Sequence, residues 1–176
     1  LDLGDPAAQI AFWREHLDTR RFRTTFDGLL SLAALRRIYA SPFLAFLPSH
    51  LGAVMRGRME RGFAHHPNRD NPYARALLLG ELAEIDRAGA RSIQLVGSDA
   101  AAYLEGAPAA SFTGFTLSNI LDGADANYRR RLFAAVKHAA APGALVVLRS
   151  FGEPTAADAD NQAATDRAMI WGLVVA

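Results

Sequence analysis

The sequence predicts an α/β fold, in which an N-terminal helical subdomain precedes the later strands of a mostly parallel sheet. Three apolar runs of strand length lie at 93–100, 111–122 and 141–149, and each ends on polar residues. A helical pattern at 127–140 separates the last two runs. Strands that alternate with helices in this way are typical of a parallel sheet covered on both faces. The preceding residues have helical patterns instead.

The predicted helical subdomain or cap spans residues 1–90. Its first helix is expected to begin at Asp5-Pro6, because aspartate is a good N-cap and proline suits the first turn. A second amphipathic stretch covers 22–38 and is broken at Ser41-Pro42. Further helices are predicted at 51–63 and 72–83, on either side of the polar, proline-punctuated loop 65–73.

Residues 91–176 form the predicted α/β part of the chain, with the later strands of the sheet. After its third strand comes an acidic loop of small residues at 153–162. The chain then ends in the apolar run 170–175, for which a last strand and a helix leading into one are both open.

Two features of the helical subdomain bear on membranes. The run Phe43–Leu47 is much shorter than the roughly 20 residues that span a bilayer, and we expect it to be core. Arg56, Arg58 and Arg61 lie on the helix that follows and are expected to form a solvated face. With the neighbouring apolar run, these arginines could instead dock on anionic lipid headgroups.

Composition excludes several classes of function. The 176 residues are 51% hydrophobic and suffice for one globular domain with a sizeable core. A net charge of +1 argues against a general nucleic-acid binder. The absence of cysteine excludes disulfides, thiol catalysis and thiolate metal sites. The adjacent His65 and His66 point apart and lack a carboxylate at ligand spacing, so we expect no metal.

Polar residues follow the predicted strands at the positions where parallel sheets bind ligands. Those positions are the carboxyl ends of the strands, and Asp99, Ser118, Asn119 and Arg149 fall there. Each also has a simpler interpretation. Asp99 could be a helix cap, Ser118 and Asn119 a turn that satisfies its own backbone, and Arg149 half of a surface ion pair.

The ordered elements resemble the later half of a Rossmann-like, S-adenosylmethionine-dependent methyltransferase domain. The matching segments are Asp99–Leu104, Leu117–Leu121 and the Pro-Gly turn with its strand, Ala141–Val147. The resemblance implies S-adenosylmethionine as cofactor, with adenine held by the Asp99 carboxylate and the amide of the neighbouring Ala100. It also implies that Ser118 and Asn119 lie beside the reacting carbon.

The chain departs from that superfamily in its first loop. The superfamily's glycine-rich loop lets backbone amides approach the carboxypropyl group of the cofactor. Here Leu1–Gly4 is the only similar fragment, and Asp5-Pro6 follows it. We therefore expect this chain to be part of a longer protein, with an incomplete cofactor site as the alternative.

Four segments together are similar to the betaine-lipid synthase family. They are Phe12–Leu30, His66–Tyr73, Leu117–Asp122 and Arg149–Phe151. Characterised members of the family are S-adenosylmethionine:diacylglycerol 3-amino-3-carboxypropyl transferases. The resemblance implies the same transfer to a lipid hydroxyl, in betaine-lipid synthesis, and a long helical insertion before the adenine-binding strand.

That reaction needs a base, an anchor for a carboxylate and an apolar path for acyl chains. By position, Asp122 is the candidate base, although Asp122-Gly123 is also an ordinary turn pair. Arg149 is the candidate anchor for a carboxylate or headgroup. Asn68, Asn71 and Tyr73 are predicted to close over the ligand from their loop.

Two rival functions stay open. One is a methyltransferase acting on a small molecule, and the other is a catalytically silent Rossmann-like interaction module. No signal peptide is visible, so we expect a cytoplasmic location, with peripheral contact to the inner face of the membrane as an open alternative. The expected partner is a lipid or small-molecule acceptor, and not nucleic acid.

Overall fold

The computed structural model describes residues 3–39, 42–81, 93–154 and 161–175. Within them it is a mixed α/β structure with seven α-helices and a small three-stranded sheet. The helices are α1 (Pro6–Phe12), α2 (Arg20–Leu29), α3 (Leu32–Ile38), α4 (Leu51–His65), α5 (Pro72–Leu79), α6 (Ala100–Gly106) and α7 (Ala126–Ala139). The strands are β1 (Phe112–Ser118), β2 (Ala140–Ser150) and β3 (Leu173–Val175).

Local capping sets the bounds of the helices in the N-terminal half. Asp5 caps α1 by accepting hydrogen bonds from two backbone amides of the first turn, as predicted. The amphipathic stretch predicted over 22–38 is two helices rather than one. Thr19 caps α2 and Ser31 caps α3, so the chain ends one helix and begins another within two residues. The left-handed Gly80 ends α5.

The core of the helical part joins segments far apart in sequence. Trp13 is buried and meets the rings of Phe22 and Phe63 edge-on, with centroids 5.5 and 5.1 Å away. Met169, from the C-terminal segment, belongs to the same buried cluster. The fully buried Gln9 amide donates to the carbonyl oxygens at the end of α4, at 2.8 and 2.9 Å, and so ties α1 to α4.

The arginines of α4 do not form a solvated face, and that prediction is wrong. Arg58 is 3% exposed and Arg56 forms a two-bond ion pair with Asp27, both distances being 2.9 Å. Arg61 donates a hydrogen bond to the Trp171 carbonyl oxygen. Burial, together with the positive charge of Arg58, lowers the pKa of the Arg61 guanidinium. The neighbouring segments supply carbonyl and carboxylate acceptors that local sequence could not reveal. These three side chains are consequently unavailable for lipid headgroups.

The sheet has the order β1-β2-β3, with β1 parallel to β2 and β3 antiparallel to β2. The helix α7 makes the crossover between the parallel pair, as the pattern at 127–140 predicts. Phe115 and Leu117 of β1 pack against α6 and α7, and Leu132 of α7 is fully buried there. The predicted strands at 111–122 and 141–149 are confirmed, with β1 ending earlier at Ser118. Of the two possibilities for 170–175, the strand is observed.

The first predicted strand of the core is not formed. Residues 93–97 have no strand partner among the described residues, and Ile93 and Leu95 are 85% and 92% exposed. The described sheet is small and mixed, so the Rossmann-like core stays a prediction. Part of the helix predicted over 72–83, and the chain leading into residue 93, lie outside the described residues.

No helix among the described residues combines the length and the apolar character needed to cross a membrane. The longest described helix is α4, with 15 residues. The run Phe43–Leu47 lies mainly in a short 3₁₀ turn, Pro42–Ala45, and its Leu44 is buried, in agreement with the prediction of core.

Candidate functional site

The carboxyl ends of β1 and β2 lie side by side. The strands are parallel, and Ser118 pairs in register with Arg149. The backbone amide of Asn119 donates to the Arg149 carbonyl oxygen at 3.0 Å. The structure thus brings three of the predicted polar residues together at the edge where parallel sheets bind ligands.

A tight turn follows β1 at this edge. Asn119 has a positive φ of 60°, a left-handed conformation that asparagine tolerates better than most residues. Its side-chain amide donates to Asp122 Oδ2 at 3.2 Å, and the Ser118 hydroxyl donates to Asn119 Oδ1 at 3.3 Å. The turn therefore satisfies its own polar groups, as the simpler interpretation expects. It also returns Asp122 to the strand end.

The Asp122 carboxylate, in the turn after β1, is hydrogen-bonded to the end of β2. Its Oδ1 accepts a short 2.5 Å hydrogen bond from the Ser150 hydroxyl, and its Oδ2 accepts from the Phe151 amide at 3.0 Å. With the Asn119 amide, this carboxylate has three donors. Hydrogen bonds to both oxygens fix the orientation of the group, so a ligand at the edge would meet a preorganised carboxylate.

Asp99 is the N-cap of α6. Its Oδ1 accepts from the Ala102 amide at 2.8 Å and lies 3.3 Å from an Arg131 nitrogen. Burial, and next the negative charge of Asp99, raise the pKa of the Tyr128 hydroxyl. The helix-cap interpretation is therefore confirmed, while contact with adenine stays a prediction. Ala100, the first residue of α6, is partly buried against the α6–α7 core.

Arg149 and Tyr73 line one pocket of about 590 Å³. Arg149 Nε donates to Asp166 Oδ2 at 2.8 Å, so the ion-pair interpretation is observed. Among the described residues, that carboxylate is the only hydrogen-bonding partner of the Arg149 side chain. Side chains alternate along a strand, so Arg149 projects from the opposite face of β2 to Ser150, which contacts Asp122. The predicted anchor and the predicted base therefore flank the strand end on its two faces.

The other two predicted loop residues are buried. Asn71 is fully buried, accepts from two amides at the start of α5 and donates to the Arg167 carbonyl at 2.8 Å. Asn68 is 3% exposed, and its side-chain amide has no partner among the described residues. Neither side chain is accessible in this conformation, so of the three predicted residues only Tyr73 faces a pocket.

An apolar cavity adjoins the Asp122 cluster. Its volume of about 360 Å³ falls in the range of small-molecule sites, roughly 300–1,000 Å³. All of its lining residues are hydrophobic: Leu30, Leu35, Tyr39, Phe43, Leu44, Leu47, Leu51, Met55 and Phe151. Phe151 lines the cavity, and its backbone amide donates a hydrogen bond to Asp122. The candidate carboxylate and the cavity are thus linked through a single residue.

No family model, curated protein or solved structure matches the chain. The similarity to betaine-lipid synthases therefore stays a prediction from the segments that carry it. What the structure contributes is the arrangement of the side chains at the strand ends.

Sequence reasoning missed three contributors to these sites. Ser150 holds Asp122, Asp166 pairs with Arg149, and Trp171 lines the Arg149 pocket. Ser150 could have been found, since it follows Arg149 at a strand end where one further residue reaches the other face. Asp166 and Trp171 lie in the irregular C-terminal segment, whose path no local pattern indicates.

The two adjacent histidines bind backbone carbonyls. His65 Nδ1 lies 2.8 Å from the Arg61 oxygen, and His66 Nε2 lies 3.2 Å from the Ala164 oxygen. In the described parts of the chain, no group of three or more potential ligands from His, Cys, Asp and Glu is placed to hold a metal ion.

Proposed function

We infer that this chain is an S-adenosylmethionine-dependent transferase that moves a 3-amino-3-carboxypropyl group to the hydroxyl of a diacylglycerol-like lipid, in betaine-lipid synthesis. The observation that carries the proposal is the link between a preorganised carboxylate and an entirely apolar cavity. Phe151 belongs to both. A lipid acceptor needs this combination, because its chain must leave water while its hydroxyl loses a proton.

Asp122 is the base in this proposal. A carboxylate offers about four lone-pair positions, and three are taken by Ser150, Phe151 and Asn119. The remaining position would accept the proton of the acceptor hydroxyl. The three donors would hold the carboxylate still while it does so, which favours a fixed angle of approach.

The donor chemistry of the strand ends fits the adenosine end of the cofactor. The Asp99 side chain is 42% exposed despite its cap and its ion pair, and the side chain of Ser118 is exposed as well. Asp99 and the Ala100 amide would hold adenine, and Ser118 and Asn119 would line the cofactor. When bound, S-adenosylmethionine supplies an electrophilic carbon beside a sulfonium sulfur, with a thioether as leaving group.

Arg149 is the proposed anchor for a carboxylate or headgroup. Its Nε is committed to Asp166, which leaves the two Nη groups for a bidentate contact with an anion. Tyr73 and Trp171 line the same pocket and would shield that contact from water. The order β1-β2-β3, with an antiparallel third strand beside a parallel pair, is compatible with the later strands of the proposed core.

Two observations favour the rival interpretation of a silent interaction module. Asp99 already has partners, and residues 93–97 are exposed rather than paired as a strand. Calorimetry with S-adenosylmethionine and S-adenosylhomocysteine separates this rival from both transferases. Micromolar binding of either compound would exclude the silent module, and no binding by the full-length protein would exclude both enzymes.

The acceptor site can be tested through chain length. We expect the KM for dioctanoylglycerol to be at least about tenfold lower than for diacetylglycerol, because each buried methylene contributes about 0.8 kcal/mol. Leu47→Trp, which places an indole in the cavity, should remove most of that difference. The matched control is Leu79→Trp, at an exposed position away from both pockets. Equal KM values for the two acceptors in the unmodified protein would contradict the assignment of the cavity.

A further inference from the structure

The rim of the apolar cavity carries exposed apolar side chains. Leu29 is 67% exposed and adjoins Leu30, which lines the cavity. Ile38 is 73% exposed and adjoins Tyr39, which is itself 57% exposed and also lines the cavity. Leu30 at the end of α2 and Tyr39 at the end of α3 therefore line the same cavity, and each is next in sequence to an exposed apolar residue.

Positive charge lies beside these groups. Arg36 and Arg37 are exposed, in the last turn of α3, and neither forms an ion pair or hydrogen bond with another described residue. The helix α3 itself contains no acidic residue. The nearest acidic side chain in the preceding sequence, Asp27, is already paired with Arg56.

We propose that Leu29, Arg36, Arg37, Ile38 and Tyr39 form a docking surface for an anionic phospholipid bilayer. Charge complementarity favours this occupant, since the two arginines would meet anionic headgroups while the three apolar side chains enter the interface. The surface is continuous with the cavity through Tyr39. It differs from the alternative membrane contact through α4, whose arginines are engaged elsewhere.

The inference goes beyond the proposed transfer reaction, because docking needs neither cofactor nor acceptor. It is tested by co-sedimentation with two kinds of vesicle. One is phosphatidylcholine alone, and the other is phosphatidylcholine with about 30% phosphatidylglycerol, whose anionic headgroups give a negative surface potential. We expect partition onto the anionic vesicles only, falling as salt is raised from about 0.05 to 0.5 M, since surface charges are screened.

Two pairs of variants locate the surface. Arg36→Gln with Arg37→Gln should weaken partition about tenfold, whereas Arg20→Gln with Arg21→Gln, the same charge change at exposed positions of α2, should weaken it less than about twofold. Ile38→Glu should weaken it about tenfold, and Leu79→Glu, at another exposed apolar position, less than about twofold. Thermal unfolding of each variant verifies that it is folded.

Three results would overturn the proposal: no partition of the unmodified protein, equal partition onto both kinds of vesicle, or equal losses in the control variants. The two proposals are distinguished by measuring, in parallel, the transfer of the 3-amino-3-carboxypropyl group to detergent-solubilised dioctanoylglycerol. A protein that transfers to the solubilised acceptor without binding vesicles contradicts docking alone. One that binds vesicles without transferring contradicts the proposed reaction alone.

Discussion

Replacing Arg58 by methionine is expected to lower the free energy of unfolding by about 3 kcal/mol or more. Arg58 donates to the carbonyl oxygens of Ile170 and Phe151, at 2.9 and 2.7 Å, and to the Glu153 carboxylate at 2.5 Å. It is the side chain through which α4 holds both the end of β2 and the C-terminal segment. Methionine fills similar space but leaves two partly buried carbonyls without a donor.

Urea unfolding followed by circular dichroism measures this effect, with Arg21→Met as the control. Arg21 is exposed on α2, so its replacement should change the free energy of unfolding by less than about 0.5 kcal/mol. Since Glu153 is half exposed and can be hydrated, most of the loss is assigned to the two carbonyls. A loss below about 1 kcal/mol in the Arg58 variant would show that water or a rearranged loop replaces these bonds.

Asp122→Asn is expected to reduce the turnover of the transfer reaction by about 10²–10⁴-fold, the usual contribution of a general base. The fold should change little. An asparagine can accept from the Phe151 amide through its oxygen and donate to the Ser150 hydroxyl oxygen through its nitrogen. We expect a stability loss of about 1–3 kcal/mol, because three hydrogen bonds lose the assistance of the carboxylate's charge.

Two controls distinguish a base from a structural carboxylate. Asp125→Asn changes a carboxylate in the same loop that caps α7, and asparagine caps about as well as aspartate. Ser150→Ala removes one donor and leaves the Asp122 carboxylate in place. Both should keep turnover within about tenfold of the unmodified protein. Unchanged turnover in the Asp122 variant, measured at saturating acceptor, would remove it from the mechanism.

Local patterns predict the parallel half of the sheet well. The apolar runs of β1 and β2 and the amphipathic α7 are each determined by side chains near in sequence, and Asp125 caps the helix between them. The run at 93–97 is as apolar as the runs of β1 and β2, yet its side chains are exposed. Whether an apolar run becomes a strand depends on a neighbouring strand to pair with, which is a tertiary condition.

The site was predictable to the extent that it depends on strand ends. Parallel pairing alone places Ser118, Asn119 and Arg149 at one edge. The burial of Arg58 depends on carbonyls 93 and 112 positions later in the chain, and no helical pattern contains that information. The same holds for Asn71, whose amide binds the Arg167 carbonyl 96 positions away and therefore supports the fold.

The proposed reaction is tested most directly by the mass of the nucleoside product. The protein is incubated with S-adenosylmethionine and dioctanoylglycerol, and both products are analysed by mass spectrometry. Transfer of the 3-amino-3-carboxypropyl group breaks its carbon–sulfur bond and forms a carbon–oxygen bond to the lipid. We therefore expect 5′-methylthioadenosine in equal amount to an ether-linked lipid. S-adenosylhomocysteine with a methylated product, or no consumption of the cofactor, would contradict the proposed function.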